Sequence, residues 1–138
     1  MFEPALRAIL DAGHTARFVA RGDSMHPAIR DGEAVYVEPC TAPLLVGEVV
    51  LARAARGLTA HRIVSLRQRL GEIEIVTRGD NCLRKDPPLT RDEVVGRVVS
   101  VERNGSHLRL FDKSLTGFRL SLSTLLMCWT VIVRRFQQ

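Results

Sequence analysis

Short apolar runs separated by Gly, Asp and Pro make up most of the chain from residue 16 onward. Seven of these runs are rich in Val and Ile: ARFVARG, EAVYVEP, EVVLARA, LTAHRIVSL, EIEIVTRG, VVGRVVSVER and SHLRLF. Short runs of β-branched residues bounded by turn residues are typical of strands. The RNG at 103–105 and Gly71 fit hairpin turns. The pattern therefore predicts a mainly β domain with a barrel-like or multi-sheet arrangement.

The first residues follow a different pattern. FEPALRAILDAG has a proline near its start, Gly13 just past its end, and Leu6, Ile9 and Leu10 spaced to share one face. This pattern predicts a short amphipathic helix. Charged residues among the apolar ones distinguish the stretch from a signal peptide core or a membrane span. We therefore expect a cytoplasmic protein.

A second apolar stretch lies at the other end of the chain. The run LSLSTLLMCWTVIV occupies residues 120–133 of an apolar C-terminal segment at 115–136. As a helix, these 14 residues would span roughly 21 Å, less than the roughly 30 Å hydrocarbon core of a bilayer. Three alternatives stay open: a buried core element, a peripheral membrane anchor with Trp129 at the headgroups, or a hydrophobic arm for a partner chain.

Length and charge narrow the class of protein. A chain of 138 residues is most simply one domain, 1–138, with a core of its own. Lys and Arg outnumber Asp and Glu by 20 to 15, but the basic residues are scattered and only seven residues are aromatic (five Phe, one Tyr, one Trp). This favours a solvated surface over a nucleic-acid interface. A nucleic-acid-binding regulator remains an alternative.

The cysteines fit neither a disulfide scaffold nor a zinc site. They are odd in number and lack C-x-x-C spacing: Cys40, Cys82 and Cys128. A reduced environment is expected, and no metal or organic cofactor is implied. One further set of potential ligands has no recognised metal-binding spacing: His61, Asp80, Cys82 and Asp86.

Ser24 and His61 are candidates for catalytic chemistry. Ser24 lies in RGDSMHPAIRDGE, between Gly22 and Pro27. A tight turn there would present its hydroxyl and aim neighbouring backbone N–H groups outward, as an acyl-transfer nucleophile with an oxyanion hole requires. His61 lies inside the predicted strand LTAHRIVSL, where an ionisable residue needs a reason. Taken alone, such a histidine is more often structural than a base.

Two carboxylates follow in TRGDNCLRKD, residues 77–86. Asp80 sits in a Gly-Asp-Asn turn, where an aspartate commonly caps backbone N–H groups. Asp86 precedes two prolines and could equally be an ordinary surface residue. From the residues alone, each aspartate could have either a structural or a catalytic role.

Together, these stretches resemble the ordered motifs of the type I signal peptidase and S24/S26 peptidase superfamily. The matching segments are GDSMHPAIRDGEAVYVEP, GEVVLARAARGLTAHRIV and TRGDNCLRKDPPLTRDEVVGRVVSV, and they cover about residues 16–101 as the peptidase-like core. The resemblance implies the coiled β-sheet fold shared by signal peptidases and SOS-repressor C-terminal domains. Glu33 and Glu48 depart from the pattern, since aspartate usually follows Gly32 and Gly47.

The resemblance also implies roles for individual residues. Ser24 matches the nucleophile. His61 stands where many members carry a general-base lysine, so the chain resembles the Ser-His branch. Asp80 and Asp86 both match positions for the orienting carboxylate; Asp86 is favoured for orienting His61 and Asp80 for holding the site together. The other residues assigned to substrate binding or the oxyanion turn are Gly22, Asp23, Met25 and Pro27.

The implied function is that of a serine endopeptidase that cleaves a leader or signal-like peptide. Its substrate would lie extended along an exposed strand edge, with small residues just before the cut. The chain shows neither the membrane span of housekeeping signal peptidases nor the DNA-binding domain of self-cleaving repressors. A catalytically inactive peptide-binding module on the same fold is the main alternative. The sequence does not indicate an oligomeric state.

Overall fold

One helix followed by seven strands forms the fold. A computed structural model describes residues 2–112. The helix and strands are α1 (Phe2–Asp11), β1 (Ala16–Val19), β2 (Ala34–Glu38), β3 (Val49–Ala54), β4 (Gly57–Arg69), β5 (Glu72–Arg78), β6 (Val94–Arg103) and β7 (Ser106–Arg109). A short 3-10 turn at Arg91–Glu93 precedes β6. The prediction of a mainly β chain with a short N-terminal helix is confirmed, and each predicted run contains one strand or, for β4, lies within it.

The strands form one antiparallel sheet in the order β1-β2-β6-β3-β4-β5, with β7 also paired to β6. β6 pairs with β3 near its start, where Val98 faces Val49, and with β7 near its end, where Arg103 faces Ser106. The β6–β7 hairpin turns at Asn104–Gly105, where both φ angles are positive (52° and 75°). Positive φ at both positions matches the two-residue turn predicted there.

The core consists of two hydrophobic clusters on the sheet. The larger packs α1 and the turn that follows Ser24 against β2, β3 and β6; its members include Leu6, Leu10, Met25, Ile29, Val35, Val37, Val49, Leu51, Val98 and Val101. The smaller lies along β3, β4, β5 and the start of β6 and contains Val50, Ala52, Ile63, Ile75 and Val94. Because Met25 and Ile29 belong to the larger cluster, the segment carrying Ser24 is anchored to the sheet.

Among residues 2–112, two strand edges near this segment have no further strand paired to them. Residues 57–60 of β4 pair with β3, whereas pairing with β5 begins only at Arg62. In the described part of the chain, β1 is paired with β2 alone. His61 therefore lies where β4 passes from one neighbouring strand to two.

The three apolar residues expected on one face of α1 are unequally buried. Leu6 and Leu10 are 3% exposed, as expected of a buried face, but Ile9 is 42% exposed. Of the three residues expected on one face, the sheet thus covers only Leu6 and Leu10. α1 packs on the sheet from one side only, and Ile9 is rotated about 100° from Leu10 around the helix, so the contact covers too narrow a stripe to include it.

Within residues 2–112, no helix is both long and apolar enough to cross a membrane. The apolar segment at 115–136, with its run at 120–133, lies outside the described residues. The three alternatives for that segment remain predictions.

The different burial of Leu10 and Ile9 should be measurable. We expect Leu10→Ala to lower the free energy of unfolding by roughly 2–4 kcal/mol, because it leaves a cavity between α1 and the sheet. Ile9→Ala removes a side chain that is 42% exposed and should cost less than about 1 kcal/mol. Urea denaturation followed by circular dichroism measures both values. Equal losses would contradict this orientation of α1.

Candidate active site

A loop closed by backbone hydrogen bonds presents Ser24. The Ala20 N–H donates to the Glu33 carbonyl and the Gly32 N–H to the Ala20 carbonyl, both at 2.8 Å. The Gly22 N–H donates to Asp31 Oδ1 at 2.8 Å across the loop. Ser24 follows, half-buried, directly before the buried Met25. The serine is thus held at the surface by a neighbour fixed in the core.

An ion pair braces this loop from β6. Arg103 donates from Nε to Glu33 Oε1 at 2.5 Å and from Nη2 to the Pro27 carbonyl at 3.1 Å. Glu33 Oε2 also accepts the Arg30 N–H at 2.8 Å. These bonds, the one from Arg103 foremost, lower the pKa of Glu33 to about 2 from an ordinary 4.5. Glu33, where the resembling pattern has an aspartate, thus connects the loop to β6 through Arg103.

The Gly-Asp-Asn turn contacts the serine loop through backbone groups. The Asn81 N–H donates to the Ser24 carbonyl at 2.8 Å, and Asn81 Nδ2 donates to the Asp23 carbonyl at 3.1 Å. The Asp80 N–H points at Met25 Sδ, 3.4 Å away. Asn81 thereby fixes the two residues on which the position of the hydroxyl depends.

Gly79 allows this approach because it has no side chain. A Cβ at Gly79 would lie 2.5 Å from the Ser24 carbonyl oxygen, 2.7 Å from Cys82 Sγ and 3.0 Å from His61 Nε2. Side chains could move aside, but the backbone oxygen is held by Asn81. Any residue larger than glycine would therefore push the two turns apart.

A hydrogen-bonded chain links Ser24, His61 and Asp86. Ser24 Oγ lies 3.1 Å from His61 Nε2, and His61 Nδ1 lies 2.6 Å from Asp86 Oδ2. The His61 side chain is 11% exposed and the Asp86 side chain 32%. An ionised carboxylate only accepts hydrogen bonds, so the proton of neutral His61 belongs on Nδ1 and Nε2 is free to accept from the serine hydroxyl.

Asp86 reaches this position because the chain returns alongside β5. The Asp86 N–H donates to the Thr77 carbonyl at 2.8 Å, and Leu89 and Ile75 exchange backbone hydrogen bonds at 2.8 and 2.9 Å. The two prolines between Asp86 and Leu89 favour an extended backbone. The Thr77 hydroxyl also donates to Asp86 Oδ2 at 2.7 Å.

Asp80 makes a different contact. Its two oxygens accept from Nε and Nη2 of Arg62, each at 2.8 Å. Arg62 Nη1 donates to the Gly47 carbonyl at 2.8 Å and to the Leu110 carbonyl at 3.0 Å. Asp80 and Arg62 thus join the Gly-Asp-Asn turn to two other parts of the chain.

The structure therefore divides the four predicted catalytic residues. It brings Ser24, His61 and Asp86 together and places Asp80 against Arg62. Of the two carboxylates that the sequence left open, Asp86 is the one that contacts His61.

The four predicted turn residues also differ in their surroundings. Met25 is buried, whereas Gly22, Asp23 and Pro27 are exposed. The Asp23 carbonyl accepts the Asn81 amide, the Pro27 carbonyl accepts Arg103, and the His26–Pro27 peptide bond is cis. Pro27 and Asp23 thus contribute backbone carbonyls to the packing of the loop.

Three residues around the site had no assigned role at the sequence level: Arg62, Thr77 and Arg103. Arg62 follows His61 in the matching motif, so its position was visible, but its partner was not. Thr77 and Arg103 lie in ordinary strand patterns. The sequence carries no signal that would have identified either one.

A cleft of about 500 Å³ opens beside Ser24. Residues of β1 and β4 line it, and most of its lining is small or apolar, including Val19, Ala20, Met25, Leu58, Thr59 and Ala60. This volume lies within the range of small-ligand and peptide sites. Within residues 2–112, no group of three or more His, Cys, Asp and Glu side chains is placed to hold a metal ion.

Comparison with protein families gives one match. The sequence model of the family described as Peptidase S24-like matches residues 3–99, which is more than half of the chain. A search of curated proteins gives no match. The matched range includes Ser24, His61, Asp80 and Asp86.

The Glu33–Arg103 pair predicts a pH dependence of stability. Because the folded-state pKa of Glu33 is lowered to about 2 from 4.5, the pair stabilises the fold above about pH 4.5 and this contribution is lost as pH falls toward 2. Glu33→Gln should reduce stability at neutral pH and flatten its pH dependence between these values. Arg103→Gln should flatten the same window. Urea midpoints across this range test both, and an unchanged slope in either variant would contradict the assignment.

Proposed function

Because the chain belongs to the S24-like peptidase family, we propose that it is a serine endopeptidase with Ser24 as nucleophile and His61 as general base. Asp86 orients the imidazole. The observation that carries the proposal is the Ser24–His61–Asp86 chain, with contacts of 3.1 and 2.6 Å. Serine, histidine and carboxylate in this order form the arrangement that activates a hydroxyl for acyl transfer.

Each reaction step follows from this chain of contacts. Ser24 Oγ attacks the scissile carbonyl carbon while His61 Nε2 takes the hydroxyl proton, and the carbonyl oxygen becomes an oxyanion. We assign the Ser24 backbone N–H as the oxyanion donor. The imidazolium then gives its proton to the leaving amine as the C–N bond breaks, which leaves an acyl-enzyme. A water molecule, deprotonated by His61, hydrolyses the ester and restores the serine.

A histidine base has an energetic advantage over a lysine base. A lysine must lose its proton through burial before it can act, whereas imidazole has a reference pKa of about 6.5 and is available near neutral pH. The carboxylate of Asp86 then has two tasks: it keeps the proton of the resting imidazole on Nδ1 and it stabilises the imidazolium that forms.

The cleft beside Ser24 supports an extended peptide as substrate. The edges of β1 and β4 that no described strand pairs with offer backbone groups to a peptide strand, which is the usual way that sheets bind extended chains. Small residues before the cut are part of the proposal because the resemblance to signal peptidases implies them. A leader or signal-like peptide is the substrate class we propose.

The inactive peptide-binding module would be favoured by a serine and histidine too far apart to bond. The Ser24–His61 distance of 3.1 Å gives no such support. The peptidase is therefore the preferred function, and the module becomes one outcome of the experiment.

Digestion of a proteome-derived peptide library tests the proposal directly. The purified protein should create new N-termini, read by mass spectrometry, with small residues before the cut. Ser24→Ala removes the nucleophile and should lower cutting by roughly a thousandfold or more. Ser106→Ala is the matched control, because Ser106 is exposed on β7 and should leave cutting unchanged.

Two outcomes would contradict the peptidase. One is cutting that persists in Ser24→Ala, which would indicate a contaminating protease. The other is no cutting by the unaltered protein, with or without lipid vesicles, combined with saturable peptide binding. That result would indicate the binding module.

The two aspartates should differ when replaced by asparagine. Asp86→Asn removes the acceptor that fixes the imidazole tautomer and should lower kcat roughly 10³- to 10⁴-fold with little loss of stability. Asp80→Asn breaks the paired bonds to Arg62 and should lower the free energy of unfolding by about 1–3 kcal/mol, with a much smaller change in kcat. Steady-state cleavage of a library-derived peptide and urea denaturation measure these effects. The reverse pattern would mean that the roles are exchanged.

A further inference from the structure

We propose that Thr77 is a positioning residue that holds the carboxylate of Asp86 in place for His61, an inference that rests on the proposed peptidase function. Thr77 lies in β5 and is only 3% exposed. It would touch neither substrate nor reacting atoms, and would act only through Asp86.

The contacts of Asp86 carry the inference. Its Oδ2 accepts two hydrogen bonds, one from the Thr77 hydroxyl at 2.7 Å and one from His61 Nδ1 at 2.6 Å. A carboxylate oxygen has two lone-pair directions, so these donors occupy both. With both directions taken, rotation of the carboxylate would break at least one of the bonds.

Asp86 needs such a constraint because of where it lies. Its side chain is 32% exposed and belongs to a returning segment outside the named strands, so water competes for its oxygens. Thr77 holds this residue twice, since its carbonyl accepts the Asp86 N–H at 2.8 Å while its hydroxyl donates to the side chain. One buried strand residue therefore fixes both the backbone and the carboxylate of Asp86.

Thr77 also connects Asp86 to the strand that carries the base. It faces Ile63 across the β4–β5 pairing, two residues beyond His61 on β4. The pairing of these strands thus sets the distance between imidazole and carboxylate. A threonine suits the position because its β-branched side chain has few χ1 choices and therefore aims its hydroxyl with little loss of entropy.

Two matched substitutions separate the effect of losing the Thr77 hydroxyl from the effect of changing its packing. Thr77→Val keeps the branched shape and removes the donor, whereas Thr77→Ser keeps the donor and loses a methyl group. The first readout is the rate at which a fluorophosphonate probe labels Ser24, which needs no known substrate. The second is the proton NMR signal of His61 Nδ1–H, which a strong bond to a fixed carboxylate moves far downfield. Urea denaturation confirms that each variant is folded.

We expect Thr77→Val to slow labelling roughly 10- to 100-fold, the usual cost of a misplaced catalytic group, and to weaken or broaden the Nδ1–H signal. Thr77→Ser should retain most of both. For peptides cut by the enzyme, kcat should fall while KM stays unchanged. If Thr77→Val does not fold, Thr77→Ala removes the same donor without adding bulk and takes its place.

Different results would overturn the positioning role of Thr77 and the proposed peptidase function. Unchanged labelling and an unchanged Nδ1–H signal in a folded Thr77→Val would overturn the positioning role. Equal losses in Thr77→Val and Thr77→Ser would overturn it too, because they would assign the effect to packing. If the unaltered protein neither labels nor cuts, the peptidase proposal fails. The NMR comparison would then still decide whether Thr77 holds Asp86 against His61.

Discussion

The close approach of the Gly79 turn to the backbone of Ser24 is the constraint on which the site depends. Ser24 and the Gly-Asp-Asn turn are far apart in the sequence, yet a Cβ at Gly79 would lie within 3.0 Å of atoms from both Ser24 and His61. Only a glycine leaves room for the Asn81 N–H to reach the Ser24 carbonyl. The distance between Ser24 and His61 is therefore set by backbone contacts, which move less than side chains.

Two arginine–carboxylate pairs next to the site hold the Gly-Asp-Asn turn and the serine loop in place. The guanidinium of Arg62 joins the carboxylate of Asp80 to the Gly47 and Leu110 carbonyls, and Arg103 joins Glu33 to the Pro27 carbonyl. Arginine suits both places because its planar group offers several donors in fixed directions and stays charged. The two pairs hold the Gly-Asp-Asn turn and the serine loop, and this leaves Asp86 free to serve the histidine.

The fold was largely readable from the sequence because its signals are local. Val- and Ile-rich runs between turn residues located all seven strands, and the proline, the apolar spacing and Gly13 located α1. The exposure of Ile9 was not readable from the sequence, because the width of a buried stripe depends on what the helix packs against. Ser24 and His61 were identifiable because their motifs keep a fixed order, and the family match covers both.

The sequence by itself thus determined the strands, the family and the candidate nucleophile and base, since each depends on residue type and spacing along the chain. Only the tertiary structure decided between Asp80 and Asp86, because both occupy the same motif and the sequence does not show that Asp80 contacts Arg62 whereas Asp86 contacts His61. The contacts of Arg62 and Arg103 have the same origin, because strand pairing brings each arginine to a carboxylate 18 or 70 residues away in the sequence. Thr77 meets Asp86 because the segment after β5 folds back alongside that strand.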